Sequence, residues 1–107
     1  MNYQIFDLEK VISTVPNSQY FHNFLNLETM EVGIINLKKD QKDTQQPHSG
    51  DEIYYIISGN GTIEIEGIKN NVQPGKIIYI PKNVRHSFHA SSNKIIALYI
   101  ISGPFWI

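Results

Sequence analysis

The sequence predicts an all-β domain with one short helix at its N-terminus. From Met30 onward, short runs of β-branched and aromatic residues alternate with Gly, Pro and Asn, the pattern of antiparallel strands joined by turns. In residues 63–66 isoleucine and glutamate alternate strictly, which places the isoleucines on a core face and the glutamates in water. Because closure hides the edges of so many short strands, a small barrel is the expected architecture.

The helix is predicted over residues 7–15, where apolar side chains recur at the spacing of one helical face. Asp7 is the expected N-cap and Pro16 ends the helix. The aromatic-rich residues 17–26 have no clean period, so we expect a strand or a loop that lies against the barrel.

Turn-forming residues divide the remaining chain into strands. Gly59-Asn60-Gly61 is a tight-turn signal between two of them, while Pro74-Gly75 and Pro81-Lys82-Asn83 mark corners. Residues 38–46 are a polar connection. The predicted strands are 32–37, 53–58, 62–66, 77–80, 84–89 and 94–102, with Val72 in a further short segment.

Composition limits the classes of function. The length of 107 residues fits one domain, residues 1–107, with a single core. With 9 basic and 10 acidic residues the net charge is -1, which predicts neither a nucleic-acid nor a membrane partner. The absence of cysteine excludes disulfides, thiolate zinc sites and thiol nucleophiles. The sequence shows no signal peptide and no apolar run long enough to span a membrane, so a cytoplasmic protein is expected.

Strand alternation also shows which polar side chains can converge. In extended segments Gln46 points the same way as His48, and Glu52 the same way as Tyr54. If the barrel brings these strands beside the strand of His86, its mouth gathers two imidazoles, a carboxylate and an amide. Four apolar or aromatic residues of the same faces are the predicted lining of a pocket: Tyr54, Ile56, Ile80 and Phe88.

These residues resemble two sequence motifs of the cupins, a family of small double-stranded β-helix (jelly-roll) barrels. The first motif is His, one residue, His, three or four residues, Glu, six residues, Gly; His48, Glu52 and Gly59 match it in register. The second motif, Gly, five residues, Pro, one residue, Gly, two residues, His, three residues, Asn, is matched by Gly75, Pro81 and His86. Fifteen residues separate Gly59 from Gly75, the short spacing of small microbial cupins. The resemblance covers residues 32–101 and implies a cupin barrel that holds a metal ion.

Three positions depart from the family pattern. Gln46 stands in the place of the first His, Asn83 in that of the second-motif Gly, and Ala90 in that of the final Asn. Asparagine tolerates a left-handed backbone almost as glycine does. Gln46 is the departure that matters, because a neutral amide oxygen is a harder and weaker ligand than imidazole.

Each candidate ligand also has a structural alternative. His86 and His48 could be ordinary hydrogen-bonded residues, and Glu52 could pair with a nearby lysine. Gln46 is a metal ligand or, instead, a hydrogen-bond partner of His48 or of a bound water. Gln45 is expected to face away from the site. His22, His89 and Asp51 fit no ligand position, and His89 and Asp51 are expected at the surface.

The resemblance implies a divalent transition metal, namely iron, manganese, nickel or zinc, with open positions for a small molecule. Oxygenation, isomerisation or decarboxylation of a small polar compound are the reactions that this implies, and no residue is singled out as catalytic. A non-catalytic binding or sensing module and a structural barrel with an empty site are the alternatives. Excess apolar surface at residues 98–107 and at Tyr20-Phe21 predicts a homodimer.

Overall fold

The computed structural model describes residues 2–103, and within them the chain forms one helix and eight strands. The helix α1 (Leu8–Ser13) is followed by β1 (Phe21–Asn26), β2 (Met30–Lys38), β3 (Glu52–Ser58), β4 (Gly61–Ile65), β5 (Ile68–Val72), β6 (Ile77–Ile80), β7 (His86–Ala90) and β8 (Lys94–Ser102). The prediction of an all-β fold with a short N-terminal helix is confirmed. Asp7 caps α1, since its side chain accepts a hydrogen bond from the Glu9 amide.

The strands form two antiparallel sheets. The larger sheet has the order β1-β2-β8-β3-β6 and the smaller has the order β5-β4-β7. Between them lies a core of buried aliphatic and aromatic side chains, which includes Tyr54, Ile56 and Phe88. A second cluster on the outer face of the larger sheet packs Val11 of α1 and Val15, which follows the helix, against Ile34 and Ile96. Full burial of each large apolar side chain contributes about 1.5 to 3 kcal/mol, so both clusters stabilise the barrel.

The predicted turn at residues 59–61 does join two strands, β3 and β4, but it forms no hairpin, because these strands lie in different sheets. Gly59 is needed for another reason. Its φ is +91°, and a Cβ there would lie 2.0 Å from the carbonyl oxygen of Lys94 in β8. The hairpin lies one strand later, where Glu66 and Gly67, with φ of 49° and 81°, join β4 to β5 in a two-residue turn. Glu66 therefore belongs to a turn and not to a strand.

The C-terminal residues Pro104–Ile107, which contributed to the predicted dimer surface, lie outside the described residues. In residues 2–103 no helix has the length and apolar character needed to cross a membrane. The cytoplasmic location stays a prediction.

Candidate metal centre

Three predicted ligands converge at one end of the barrel. One ligand atom from each of His48, Glu52 and His86 lies within 4.8 Å of the others. Nε2 of His86 is 3.0 Å from Oε1 of Glu52, and Nε2 of His48 is 3.6 Å from the same oxygen. Glu52 and His86 are 2% and 3% exposed, whereas the His48 side chain is 31% exposed. The cluster is therefore closed on the core side and open on the His48 side.

The strand register explains why Glu52 points inward. Glu52 begins β3 and is paired with Ile80 of β6 and with Ile101 of β8, both buried. Because alternate residues of a strand share a face, Glu52 follows Tyr54 and Ile56 into the barrel. His86 begins β7 of the other sheet, opposite Ile65. The ligand cluster thus joins the two sheets at the barrel's mouth.

His48 lies outside the strands and is positioned by its backbone. Its carbonyl accepts a hydrogen bond from the amide of Asn83, at 2.6 Å. Asn83 has a φ of 64°, which confirms that asparagine serves here as a left-handed residue in the place of glycine. The corner between β6 and β7 therefore positions both histidines, one through Asn83 and one as the residue that begins β7.

The second nitrogen of His86 identifies the tautomer. Nδ1 lies 2.9 Å from the carbonyl oxygen of Val84, and only a protonated nitrogen can donate to that oxygen. In the neutral ring Nε2 then carries the lone pair that faces Glu52. Donation of the remote N–H to a backbone carbonyl is the usual support of a metal-binding imidazole.

Two buried polar atoms of the cluster lack partners. Nε2 of His48 and Oε1 of Glu52 are inaccessible to solvent, and neither has a hydrogen-bond partner among the described residues. Buried polar atoms are rarely left unpaired, and an unpaired nitrogen and oxygen that face the same point suit the position of a bound cation. An ion about 2.1 Å from each ligand sets neighbouring ligands roughly 3 Å apart or more. The separations of 3.0 and 3.6 Å fit that requirement, and the residues therefore suit a divalent metal.

The electrostatics of the cluster also favour a cation. Burial lowers the pKa of His86, but the neighbouring Glu52 and the Val84 carbonyl outweigh that effect and raise it above its ordinary value. In the metal-free protein a proton therefore occupies His86 more readily than it would in water. Burial, followed by the charge of Glu52, raises the pKa of Tyr54 well above its ordinary value. The Tyr54 phenol consequently stays neutral at physiological pH.

The structure places the two glutamines differently from the sequence prediction. Gln45, which was expected to face away, accepts a hydrogen bond from the Tyr54 hydroxyl at 2.8 Å, and that hydroxyl lies 3.0 Å from Nε2 of His86. Gln46 is exposed and lines an outer cleft. The alternation argument fails here because the connection between β2 and β3 has no strand, so neighbouring side chains need not take opposite sides.

The four predicted pocket residues are all buried in the main core cluster. Tyr54 reaches the metal centre through its hydroxyl. Ile56, Ile80 and Phe88 pack behind it and line neither of the two cavities at the mouth. Asp51 and His89 are exposed, as predicted.

The connection of residues 42–48 separates these two cavities. An inner cavity of about 260 Å³ reaches His48 and lies against β1, β2 and β8; its walls are formed by Tyr20, Phe21, Asn23, Glu31, Ile35, Thr44, Gln45, His48, Tyr99 and Ile101. An outer cleft of about 450 Å³ reaches His86 on the other side and is lined by charged residues, among them Lys42, Glu64 and Arg85. One histidine of the ligand cluster therefore lines each cavity, while Glu52 lines neither.

Asp43 is a residue that the sequence analysis missed. Its carboxylate accepts hydrogen bonds from the backbone amide of Phe88 at 2.7 Å and from the side chain of Gln45 at 2.8 Å. Phe88 lies in β7, an edge strand of the smaller sheet, so Asp43 satisfies an edge amide that the sheet leaves free. Asp43 thus anchors the connection that carries Gln45 to the metal centre. Asp43 lies in the polar connection of residues 38–46, and nothing in the local sequence indicates its partner in β7.

Comparison with known proteins agrees with this architecture. The family profile for the cupin domain matches residues 33–102. An uncharacterised protein of Streptomyces coelicolor is 33% identical over 88 residues, which cover 82% of this chain and 84% of that protein. The acireductone dioxygenase of Bacillus mycoides is 26% identical over 98% of this chain, and the chain spans about half, 56%, of that enzyme's length.

Solved structures give the same result. A cupin protein of Bacteroides fragilis superposes with a TM-score of 0.74 and 26% identity, and the match covers 100% of this chain and 89% of that one. The profile match, the two antiparallel sheets and the His48, Glu52 and His86 cluster lead to one conclusion: the chain belongs to the cupin family.

Proposed function

We propose that this cupin binds a divalent transition metal through His48, Glu52 and His86 and uses it to oxygenate a small polar molecule in the inner cavity. The observation that carries the proposal is the orphaned pair of buried atoms, Nε2 of His48 and Oε1 of Glu52, which face Nε2 of His86. Two imidazoles and one carboxylate with open positions are the ligand set typical of non-haem iron(II) oxygenases. Iron(II) is therefore the first metal to test, ahead of manganese, nickel and zinc.

Several features of the chain support oxygenation over a purely structural ion. A structural site is closed by its protein ligands, whereas the His48 side chain of this cluster is 31% exposed and lines a cavity of about 260 Å³. When bound, the metal supplies a Lewis acid and a redox centre to molecules that reach it. The chain itself orients His86 through Val84, excludes water on the core side and holds a neutral phenol, Tyr54, 3.0 Å from Nε2 of His86. The dioxygenase relative makes the same class of reaction the first to examine.

Metal analysis tests the proposal. Protein purified without chelator should contain about one divalent ion per chain, and His86→Ala should lose it while remaining folded. A matched control is His89→Ala, because His89 is exposed and lies three residues along the same strand. Full metal content in His86→Ala would refute the ligand assignment.

The part played by Gln46 can be tested in the same way. It occupies the first-His position of the motif but is exposed, so a role as ligand requires its side chain to turn inward. Gln46→Ala should weaken metal retention less than His86→Ala does. Gln46→His should tighten retention if the position can face the ion, and unchanged affinity would assign Gln46 to the rim of the outer cleft.

Oxygen uptake decides between an enzyme and the alternative, a non-catalytic binding or sensing module. The iron(II)-loaded protein is mixed with a panel of ene-diols, hydroxy acids and thiols in an oxygen electrode. Substrate-dependent uptake that disappears in Glu52→Gln supports the oxygenase. Tight binding of a panel member without uptake supports the binding module.

We also propose that the chain forms a homodimer through the outer face of the larger sheet. Five apolar side chains on β3, β6 and β8 are between 39% and 71% exposed there: Ile53, Tyr55, Ile77, Tyr79 and Ile100. Their register makes them neighbours, since Ile53 faces both Tyr79 and Ile100. Contiguous apolar surface of this kind usually marks an interface.

Sedimentation tests the dimer. The wild type should run at twice the 12.3 kDa of the chain, and Ile53→Lys should convert it to monomer. Ile68→Lys is the control, because Ile68 is equally apolar, is 67% exposed and lies on the smaller sheet. A wild type that sediments as a monomer at micromolar concentration overturns this proposal.

A further inference from the structure

The inner cavity has an uneven charge. Glu31 is the one carboxylic acid among the residues that line this cavity, and the lining contains neither lysine nor arginine. No lysine or arginine of the described residues lies within salt-bridge distance of Glu31, since both ion pairs found there involve Glu52. The cavity therefore presents one uncompensated carboxylate besides the metal ligands.

The strand register places this carboxylate on the same face of the sheet as Glu52. Glu31 of β2 faces Ile101 of β8, and Ile101 faces Glu52 of β3. Residues directly opposite each other in a sheet share a face, so Glu31 and Glu52 both point into the barrel from one row. Two strand spacings separate their backbones by about 10 Å. A ligand of a few bonds would therefore reach from one carboxylate to the other.

Ile101 lies between the ends of this row, and the cavity beside the row is lined by aromatic rings. Tyr99 lies over Gly33, where an added Cβ would meet the ring at 2.2 Å, and the Tyr99 hydroxyl donates a hydrogen bond to Asn23. Tyr20 and Phe21 contribute further aromatic surface. Aromatic faces attract cations through their quadrupole, which adds to the attraction of a nearby carboxylate. The aromatic rings and the Glu31 carboxylate therefore both favour a positively charged ligand.

We propose that the ligand of the inner cavity is a small molecule with a cationic amino group held by Glu31 and, a few bonds away, an oxygen donor directed to the metal centre. The inference rests on the proposed function for the metal, and it adds the substrate class: amino-bearing compounds over carboxylates or phosphates. An anionic tail would face Glu31 without any cation in the cavity wall to pair with. A neutral tail would leave the carboxylate without a partner.

Three hydroxamic acids of matched length test the proposal. A hydroxamate supplies the metal-binding oxygens, and a three-carbon chain carries an ammonium, a methyl or a carboxylate group at the far end: γ-aminobutyrohydroxamate, pentanohydroxamate and glutaric monohydroxamate. Affinities are measured by calorimetry with the metal-loaded protein. The ammonium probe should bind about tenfold more tightly than the methyl probe, and the carboxylate probe should bind most weakly.

Variants show whether Glu31 is the cause. Glu31→Gln should remove most of the preference for the ammonium probe and leave the methyl probe unchanged. Glu28→Gln is the control, because Glu28 is exposed in the β1–β2 turn and does not line the cavity. Equal affinity of the three probes for the wild type, or a preference that survives in Glu31→Gln, would overturn the inference.

Titrations of the metal-free protein separate this inference from the proposed function. The order of the probes should persist at lower affinity, because the charge of Glu31 does not depend on the metal. If the probes bind equally well with and without metal but keep their order, the metal proposal fails and the cation preference stands. If metal strengthens binding without any charge preference, the cation inference fails alone. If no probe binds to either the metal-loaded or the metal-free protein, the cation inference is also overturned.

Discussion

The substitution Glu52→Gln should have opposite effects on metal retention and on the stability of the metal-free protein. Glutamine keeps the shape of the side chain but removes the charge of a ligand that is 2% exposed. Loss of the carboxylate of the cluster should weaken metal affinity by a factor of roughly 100 or more. Even mutation of a residue that only hydrogen-bonds to a ligand lowers metal affinity about 10- to 100-fold. The metal-free barrel should respond differently, because Oε1 of Glu52 has no hydrogen-bond partner there.

The expected size of both effects follows from general energetics. An unsatisfied buried polar group costs about 1 to 3 kcal/mol, and a buried charge costs more than a neutral amide of the same shape. At about pH 9, where an imidazole is neutral, metal-free Glu52→Gln should therefore equal or exceed the wild type in stability. Metal at a hundred times its dissociation constant should stabilise the wild type by about 2.7 kcal/mol. In a domain of about 100 residues that raises Tm by roughly 10 to 20 °C.

Thermal unfolding with and without metal measures these effects. The wild type should show the metal-dependent rise in Tm, Glu52→Gln should show almost none, and the exposed-carboxylate control Glu64→Gln should behave as the wild type. A full metal-dependent rise in Glu52→Gln would refute the assignment of Glu52 as a ligand. If metal-free Glu52→Gln is several kcal/mol less stable than the metal-free wild type at alkaline pH, the Glu52 carboxylate does have a stabilising partner without metal, and the reasoning is refuted.

Three further predictions concern pH and packing. The pKa of His86 is raised in the folded, metal-free protein, so protonation of His86 stabilises the fold. This stability is complete below the unfolded pKa of about 6.5 and is lost as pH rises through the folded pKa, so Tm should fall over that range. Metal affinity, measured by competition with a chelator, should rise over the same range. Gly33→Ala should destabilise the barrel by about 1 to 3 kcal/mol in urea unfolding, because its Cβ would overlap the Tyr99 ring, and most of this loss should vanish in a Tyr99→Leu background. Asp43→Ala should cost about 1 to 3 kcal/mol by the same measurement, because the Phe88 amide loses its acceptor; an unchanged urea midpoint would show that water replaces the carboxylate.

Strand alternation predicts which side chains face inward only where the chain forms a strand. Glu52 and His86 lie on the inner face that alternation and the motif resemblance together predicted, since each begins a strand whose alternate residues are buried. Their role as metal ligands stays a prediction. The second-motif corner was predicted for the same local reason, since Asn83 takes the left-handed conformation that the position requires. The glycines at residues 59–61 cannot distinguish a hairpin from a crossing between sheets, because a glycine required by the close approach of β8 looks the same in sequence as one required by a tight turn.

The connection between β2 and β3 shows where local reasoning stops. Its position is determined by hydrogen bonds to residues far along the chain: Asp43 to the amide of Phe88, Thr44 to the hydroxyl of Tyr20, and the carbonyl of His48 to Asn83. None of these partners can be inferred from spacing within the segment. Yet this connection carries His48, directs Gln45 to Tyr54 and forms the wall between the inner cavity and the outer cleft. The strands therefore position two of the three candidate ligands, whereas the connection carries the third and separates the two cavities. The surroundings of the cluster thus depend on the part of the chain that alternation describes least.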